Sequence, residues 1–204
     1  MKDRRDAILD VAMNLAEEGG FDNVRQRDVA AKAGVALGTL YKRFRSKEDI
    51  LCAALERETE ALERRMDARP AKGTTAKERI ASLFETITRG MCRKPNYARA
   101  VLRAMASGVP EVAKNVAAYQ ERMNRLIVAA SRGRGSAKGD DGAVLPPSEA
   151  EATLSFMLQE LWFASLVGWS AGLVQEAEVV QHLAVATALL MRALDLDTQA
   201  AFAR

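Results

Sequence analysis

Apolar residues recur with the period of an α-helix along almost the whole chain, and this periodicity limits the fold more than any other feature. Residues 4–18 place Ile8, Ala12 and Leu15 on one stripe, which is the spacing of an amphipathic helix. No segment shows the strict alternation that is typical of a β-strand. The sequence therefore predicts an all-α protein, with helices over residues 4–18, 26–33, 37–44, 46–69, 75–92, 95–106, 110–130, 149–171 and about 176–194.

Glycine and proline divide these helices. Gly19 and Gly20 are expected to stop the first helix, because glycine readily adopts the backbone conformations that end helices. Residues 70–74 predict a hinge, beyond which the helices are longer. Residues 131–148 hold four glycines and two prolines without apolar periodicity, so we expect a flexible loop there.

The composition excludes several classes of protein and site. A chain of 204 residues that is 49% hydrophobic can bury a core, which excludes a wholly disordered protein. The two cysteines exclude a dense disulfide scaffold and a four-cysteine zinc site, and the single histidine, His182, excludes a multi-histidine metal site. The sequence also contains no glycine-rich phosphate loop and no recognisable nucleophile–base pair. We therefore expect no metal, no cofactor and no enzymatic activity.

The hydropathy pattern favours a protein of the cytoplasm. No run of about 18 uncharged apolar residues is present, so no segment is expected to span a membrane. The first residues lead into an amphipathic stretch that carries acids and lacks the apolar core of a signal peptide.

Two short helices joined by a tight turn form the best functional candidate. The helices at 26–33 and 37–44 are separated by Gly34-Val35-Ala36, which is the spacing of a helix-turn-helix. Residues 22–47 contain seven basic and two acidic residues, a local balance of +5 against +3 for the whole chain. Because contacts to phosphates supply most non-specific affinity for DNA, this clustering favours double-stranded DNA as the partner.

The same region resembles the TetR family of transcriptional regulators. The resemblance is carried by GVALGTLYKRF at 34–44 and SKED at 46–49, and upstream by ILDVA at 8–12, Gly20-Phe21 and VAAKAG at 29–34. It is dense over roughly residues 4–55, and beyond them only the length and the helical layout are similar. The resemblance implies a three-helix DNA-binding domain at 1–47 and a helical domain for ligand binding and dimerisation at 48–204.

Seven residues are candidates for DNA contacts. Gly38 lets the backbone approach DNA closely, and Leu37 suits a thymine methyl group. The resemblance implies that Thr39 and Tyr41 grip phosphates. Arg27 and Lys42 suit a base or a phosphate, and Lys47, at the positive end of the fourth helix, suits a phosphate.

The motif departs from the family pattern at two positions. Ala36 stands where the family often has Ser or Thr, so the recognition helix is expected to lack a side-chain cap, whose loss costs about 0.5–2 kcal/mol. Arg43 stands where the family often has an aromatic residue or His, a departure expected to add a contact to the DNA backbone and to alter sequence preference.

The C-terminal helices suggest an effector site and a dimer interface. Soft or aromatic side chains adapt to apolar ligands. Residues of this kind in the middle and late helices are Phe84, Met91, Met105, Tyr119, Met123, Met157, Trp162 and Trp169, and each of them is alternatively plain core. By the resemblance, the last two helices pair with those of a second copy, and Val180 and Leu183 are expected at that homodimer interface.

These expectations combine into a ligand-responsive transcriptional repressor. A dimer would hold its recognition helices about 34–36 Å apart on a palindromic operator, and a largely apolar effector would release it. The run from Met91 to Pro110 weakly resembles repressors of steroid and fatty-acid breakdown, which suggests a lipid or its coenzyme A ester. Two alternatives stay open: a helical small-molecule-binding protein or enzyme that does not regulate transcription, and a thiol sensor that uses Cys52 and Cys92.

Overall fold

The structure, a computed structural model, describes residues 4–133 and 146–202, with the backbone alone for 195–202. Across these residues the regular structure is helical and contains no strand, so the expected all-α class is confirmed. A short 3₁₀ turn at Pro110–Val112 precedes the seventh helix. The helices are α1 (Arg4–Asn23), α2 (Gln26–Lys32), α3 (Leu37–Arg43), α4 (Lys47–Ala68), α5 (Ala76–Cys92), α6 (Pro95–Met105), α7 (Ala113–Arg132), α8 (Glu149–Ser170) and α9 (Glu176–Phe202).

The helix ends follow the chemistry of their terminal residues. Gly19 (φ −147°, ψ 21°) and Gly20 (φ 70°, ψ −167°) interrupt the helical backbone of α1 at the predicted stop. At the start of α4, the Ser46 hydroxyl accepts a hydrogen bond from the Asp49 backbone N–H at 3.1 Å. At the start of α8, Ser148 and Glu151 form a reciprocal capping box. Local sequence therefore sets these boundaries.

The predicted loop at 131–148 is only partly described. Residues 134–145 lie outside the described residues, and α7 continues to Arg132, beyond its predicted end. The Arg132 guanidinium donates hydrogen bonds of 2.8 and 2.7 Å to the Glu151 carboxylate and one of 2.9 Å to the Pro146 carbonyl. These bonds fix the two described edges of the segment to each other.

The described chain forms two compact units, and the first contains the helix-turn-helix. This unit consists of residues up to 60 together with 91–120. The Tyr97 backbone N–H donates to the Glu17 carboxylate at 2.9 Å, and the Asn96 amide donates to the Glu17 carbonyl at 3.0 Å. Arg57 donates to Asp10 at 2.7 Å and to the Asp6 carbonyl at 3.1 Å. Helix α6 is thereby joined to α1, and α4 to α1.

The second unit consists of residues 61–90 and the chain from 121 onward. The Glu63 carboxylate accepts hydrogen bonds from Arg122 and, at 2.9 Å, from Arg125. Burial opposes ionisation of Glu63, but the two guanidinium groups outweigh burial and lower its pKa. Arg79 donates to the carbonyls of Ala130 and Ser131 at 2.8 and 2.7 Å, which satisfies acceptors at the end of α7.

Helix α4 supplies residues to both units. The predicted boundary at 47/48 separates a DNA-binding domain from a ligand-binding domain. Dividing the chain into compact units does not test that functional boundary. It stays a prediction.

Helix α9 combines an apolar composition with an exposed surface. Its segment Glu176–Leu194 is long and apolar enough to cross a bilayer, with a mean hydropathy of 1.3. The segment nevertheless carries Glu178 and Arg192, and its buried side is a narrow stripe that includes Val179 and Leu183. The segment thus has the length of a membrane span but lacks the uninterrupted run of apolar residues that a span needs. Its wide exposed apolar side has no partner within the described chain.

Candidate nucleic-acid interface and effector site

Helices α2 and α3 are held in a fixed arrangement by their turn and their core. Gly34 has a φ of 66°, a left-handed conformation that favours glycine. The Val35 backbone N–H then donates to the Ala30 carbonyl at 3.0 Å, as in a helix-ending Schellman turn. At the other end, the Gln26 amide donates to the Phe44 carbonyl at 3.2 Å. Leu40 is fully buried, so one side of α3 is anchored and the other is free.

The free side of α3 presents three of the predicted DNA-binding residues. Leu37 is 38% exposed and Tyr41 is 51% exposed, and they lie one helical turn apart with Gly38 beside them. A Cβ built on Gly38 meets no atom within 4 Å. This side is therefore a smooth, accessible surface of the size that enters a major groove.

The other predicted DNA-binding residues differ in how far their side chains are exposed. Lys42 is exposed at the end of α3, and Thr39 is half-buried. Arg27, with its side chain 71% exposed, lies 3.6 Å from Asp28 on α2. Ala36 provides no side-chain cap to α3, as its residue type predicts.

Lys47 is engaged within the chain. Its ammonium lies 3.9 Å from the centre of the Phe21 ring and donates to the Phe21 carbonyl at 3.3 Å. Arg103 of α6 lies over the same ring at 4.2 Å and donates to Asp22 at 3.1 Å. The hydrogen bond from Arg103 is the main cause that lowers the pKa of Asp22. Sequence reasoning missed Arg103 because no local pattern relates α6 to this corner.

The effector candidates divide between the two units. Phe84, Met123 and Trp162 are buried in the second unit. The Phe84 and Trp162 rings have centroids 6.0 Å apart at a tilt of 58°, and the Trp162 indole N–H donates to the buried Thr88 hydroxyl at 2.9 Å. In the same unit, Trp169 is half-buried and Met157 is exposed. The candidates that belong to the first unit are Met91, Met105 and Tyr119.

Comparison with known proteins gives matches along most of the chain. Residues 8–54 match the family described as "Bacterial regulatory proteins, tetR family", and residues 73–190 match "Tetracyclin repressor-like, C-terminal domain". The chain is 32% identical over 190 residues to the HTH-type transcriptional repressor KstR of Rhodococcus jostii, covering 93% of this chain and 84% of that protein. The chain belongs to the TetR family.

Solved structures support the same fold. A TetR transcriptional regulator from Rhodococcus sp. RHA1 superposes with a TM-score of 0.80 at 22% identity, covering 92% of this chain and 94% of the other. Thermus thermophilus FadR, a TetR-family repressor solved in complex with lauroyl-CoA, superposes with a TM-score of 0.68 at 20% identity, covering 92% and 93%. The family membership confirms the expectation of a DNA-binding transcriptional regulator rather than an enzyme.

The two predicted interface residues of this TetR-family regulator have different surroundings. Leu183 is fully buried within its own chain, and Val180 is half-buried. Sequence reasoning did not select Val185 and Leu189, which are 52% and 59% exposed. Their i, i+4 spacing on α9 was the signal that could have found them.

The environment of Cys52 argues against the thiol-sensor alternative. Burial, aided by the nearby Asp49 and Glu48 carboxylates, raises the pKa of Cys52 to about 12. Because the thiolate is the reactive form of cysteine, this thiol is a poor nucleophile near neutral pH. Cys92 is half-buried and forms no disulfide with Cys52.

Replacing Thr88 with valine is expected to destabilise the folded protein by about 1–3 kcal/mol. The substitution keeps the shape of the side chain but removes the oxygen that accepts the bond from Trp162. Urea denaturation followed by tryptophan fluorescence measures this change in the free energy of unfolding. Thr86→Val at an exposed position of α5 is the control. A Thr88→Val protein as stable as the control would show that the buried bond contributes nothing net.

Proposed function

We propose that this TetR-family chain is a dimeric repressor that leaves a palindromic operator when a largely apolar effector binds. The observation that carries the proposal is the exposed surface of Leu37, Gly38 and Tyr41 on an anchored α3, within a segment of local charge +5. A basic surface attracts the DNA backbone, and the exposed helix face reads bases in the major groove. Because the regulated DNA is in the bacterial cytoplasm, we assign the protein to that compartment.

The proposed contacts divide into base readout and phosphate binding. Leu37 and Gly38 face the bases, and Tyr41 and Thr39 donate hydroxyl groups to phosphates. The basic residues that complete the set are Arg27, Lys42 and Lys47. Lys47 reaches a phosphate only if its ammonium exchanges contacts at Phe21 and Asp22, so its contribution depends on the conformation of that corner.

We propose that the effector is a lipid or its coenzyme A ester and that it binds among the buried residues of the second unit. Phe84, Met123 and Trp162 supply apolar surface there, and Thr88 supplies a polar group beside it. A related repressor with the same fold was solved with lauroyl-CoA. This similarity supports the chemical class of the ligand but not its acyl chain.

Binding of the effector must favour a conformation that fits the operator less well. A ligand lowers DNA affinity only by as much as it prefers the conformation that does not bind DNA. Helix α4 supplies residues to both compact units, and we propose that it transmits this change.

The test is operator binding with and without lauroyl-CoA. Fluorescence anisotropy on a palindrome from the DNA adjoining the gene is expected to show an affinity about 5- to 150-fold lower with the ligand bound, the usual range of allosteric coupling. Tryptophan fluorescence, which comes from Trp162 and Trp169, reports independently whether the ligand occupies the protein. Tyr41→Ala is the variant expected to lose operator binding while its core stays intact.

Two outcomes would contradict this proposal. If the operator affinity is unchanged while the ligand is shown to be bound, release of the operator by this effector is excluded. Ligand binding without any operator binding would favour the small-molecule-binding alternative.

A further inference from the structure

A cavity of about 620 Å³ opens in the first compact unit beside the end of α3. Its walls come from the end of α3, the turn that follows, the start of α4, the start of α7 and Arg5 of α1. Phe44 and Ala53, both buried in the core, lie among its lining residues. None of the effector candidates lines it.

Positive charge dominates the lining of this cavity. The basic residues are Arg5, Lys42, Arg43, Arg45 and Lys114, and the acidic ones are Asp49 and Glu111. Charges of one sign along a concave wall focus their field into the opening. The cavity is therefore suited to an anion that carries more than one charge.

Three of these cations have no partner and one of the acids is already satisfied. The side chains of Lys42, Arg43 and Lys114 make no hydrogen bond or ion pair with other residues in the part of the chain that the structure describes. The Asp49 carboxylate accepts from the Arg45 backbone N–H at 3.0 Å and from the Asn115 amide at 2.6 Å. The lining thus offers free donors and an acid whose oxygens are occupied.

Arg43 lies away from the surface proposed to read DNA. At about 100° per residue along a helix, Arg43 is on the side of α3 opposite the Leu37, Gly38 and Tyr41 face. Lys114 belongs to α7, which is not part of the helix-turn-helix. The cavity therefore lies away from the base-reading face and shares only Lys42 with the proposed DNA contacts.

We propose that this cavity binds a small phosphate-bearing anion. Guanidinium groups match phosphate oxygens with paired hydrogen bonds, and lysine adds a point charge. The volume is within the range of small-molecule sites, about 300–1,000 Å³, and accommodates a group as large as a nucleotide. The ligand is thus a small polyanion, which shares its phosphate chemistry with the head group of a coenzyme A ester but not with an acyl chain.

An anion in this cavity weakens operator binding, a consequence that rests on the proposed function. The bound charge offsets the positive field beside α3, which attracts the DNA backbone. By linkage, operator DNA weakens anion binding by the same factor. DNA binding then responds to phosphate charge in this cavity as well as to an apolar group among the buried residues of the second unit.

The first test measures pyrophosphate binding to the full chain by titration calorimetry at constant ionic strength. We expect one saturable site per chain, and at least a tenfold loss of affinity in Arg43→Gln/Lys114→Gln. Both side chains are exposed and unpaired, so circular dichroism should show an unchanged fold. The control is Lys72→Gln/Lys77→Gln, which removes two exposed charges elsewhere and should bind as the original does. Absence of a saturable site, or equal affinity in the double variant, would overturn the proposal.

The second test separates a small anion from a flanking DNA phosphate. Saturating pyrophosphate is expected to lower operator affinity at least threefold relative to chloride of equal ionic strength, an effect that Arg43→Gln/Lys114→Gln abolishes. If the double variant instead loses operator binding as severely as Tyr41→Ala and pyrophosphate does not bind, the cavity holds the DNA backbone and the proposal is wrong. If no form binds the operator, the proposed function fails, and calorimetry still decides the anion site.

Discussion

Replacing Gly38 with alanine should stabilise the folded protein by about 1 kcal/mol, the usual difference between these residues inside a helix. The added Cβ meets no atom within 4 Å, so the free chain accommodates it without strain. Gly38→Leu, with a larger side chain on the same open surface, should separate α3 from the bases. For two half-sites at about 1–3 kcal/mol each, we expect operator affinity to fall at least about 30-fold.

The prediction is specific to the DNA-binding face because one substitution at Gly38 should raise stability and the other should lower operator affinity. Gly90 on α5 is also an exposed helical glycine whose Cβ would meet no atom within 4 Å, so Gly90→Ala should give a similar gain in stability and Gly90→Leu no loss of operator affinity. Urea denaturation measures the first quantity and fluorescence anisotropy the second. A Gly38→Leu protein that binds the operator normally would show that α3 does not approach DNA through this face.

The helix-turn-helix was predictable because its determinants are local. Gly34 ends α2, Leu40 anchors α3, and the Ser46 hydroxyl caps α4, and each acts within a few residues along the chain. Such signals are visible in a single sequence. The exposed position of Tyr41 follows from the helical period, which places Tyr41 and the buried Leu40 on different sides of α3.

The features that sequence reasoning missed depend on distant parts of the chain. Arg103 of α6 contacts Asp22 and Phe21, and Lys114 of α7 lines the same cavity as Arg43. No periodicity relates residues of separate helices, because their proximity is decided by how the helices pack. Arg43 is visible in the sequence as a departure from the family pattern, but the cavity that it lines together with residues of α4 and α7 is not.

The dimer candidates show a second limit of prediction from sequence. Helix α9 carries apolar residues on nearly all sides, including Val179, Val180, Leu183, Val185 and Leu189. When apolar residues surround a helix, periodicity does not distinguish the side that packs within the chain from the side that meets a partner. The structure makes that distinction through burial, since Leu183 is covered and Leu189 is exposed.

The double substitution Val185→Glu/Leu189→Glu is expected to convert the protein from dimer to monomer and to weaken operator binding by about 100-fold or more. Both side chains are exposed within the single chain, so the fold should tolerate the acids. In a dimer, the same acids would be buried without partners, which is strongly unfavourable. Losing the dimer removes the avidity that joins two half-sites, which is commonly a factor of about 10²–10⁴.

Light scattering coupled to gel filtration measures the first effect, because the monomer has a mass of 22.2 kDa and the dimer twice that. Thr86→Glu/Gly90→Glu adds the same two acids to exposed positions of α5 in the same compact unit, and it should remain dimeric and bind the operator. If the α9 variant is dimeric, another surface joins the subunits. If it is monomeric yet keeps full operator affinity, a single α3 suffices for recognition, and the requirement for two half-sites is wrong. The expected result, loss of both properties in the α9 variant alone, would link the exposed side of α9 to the spacing of two recognition helices on DNA.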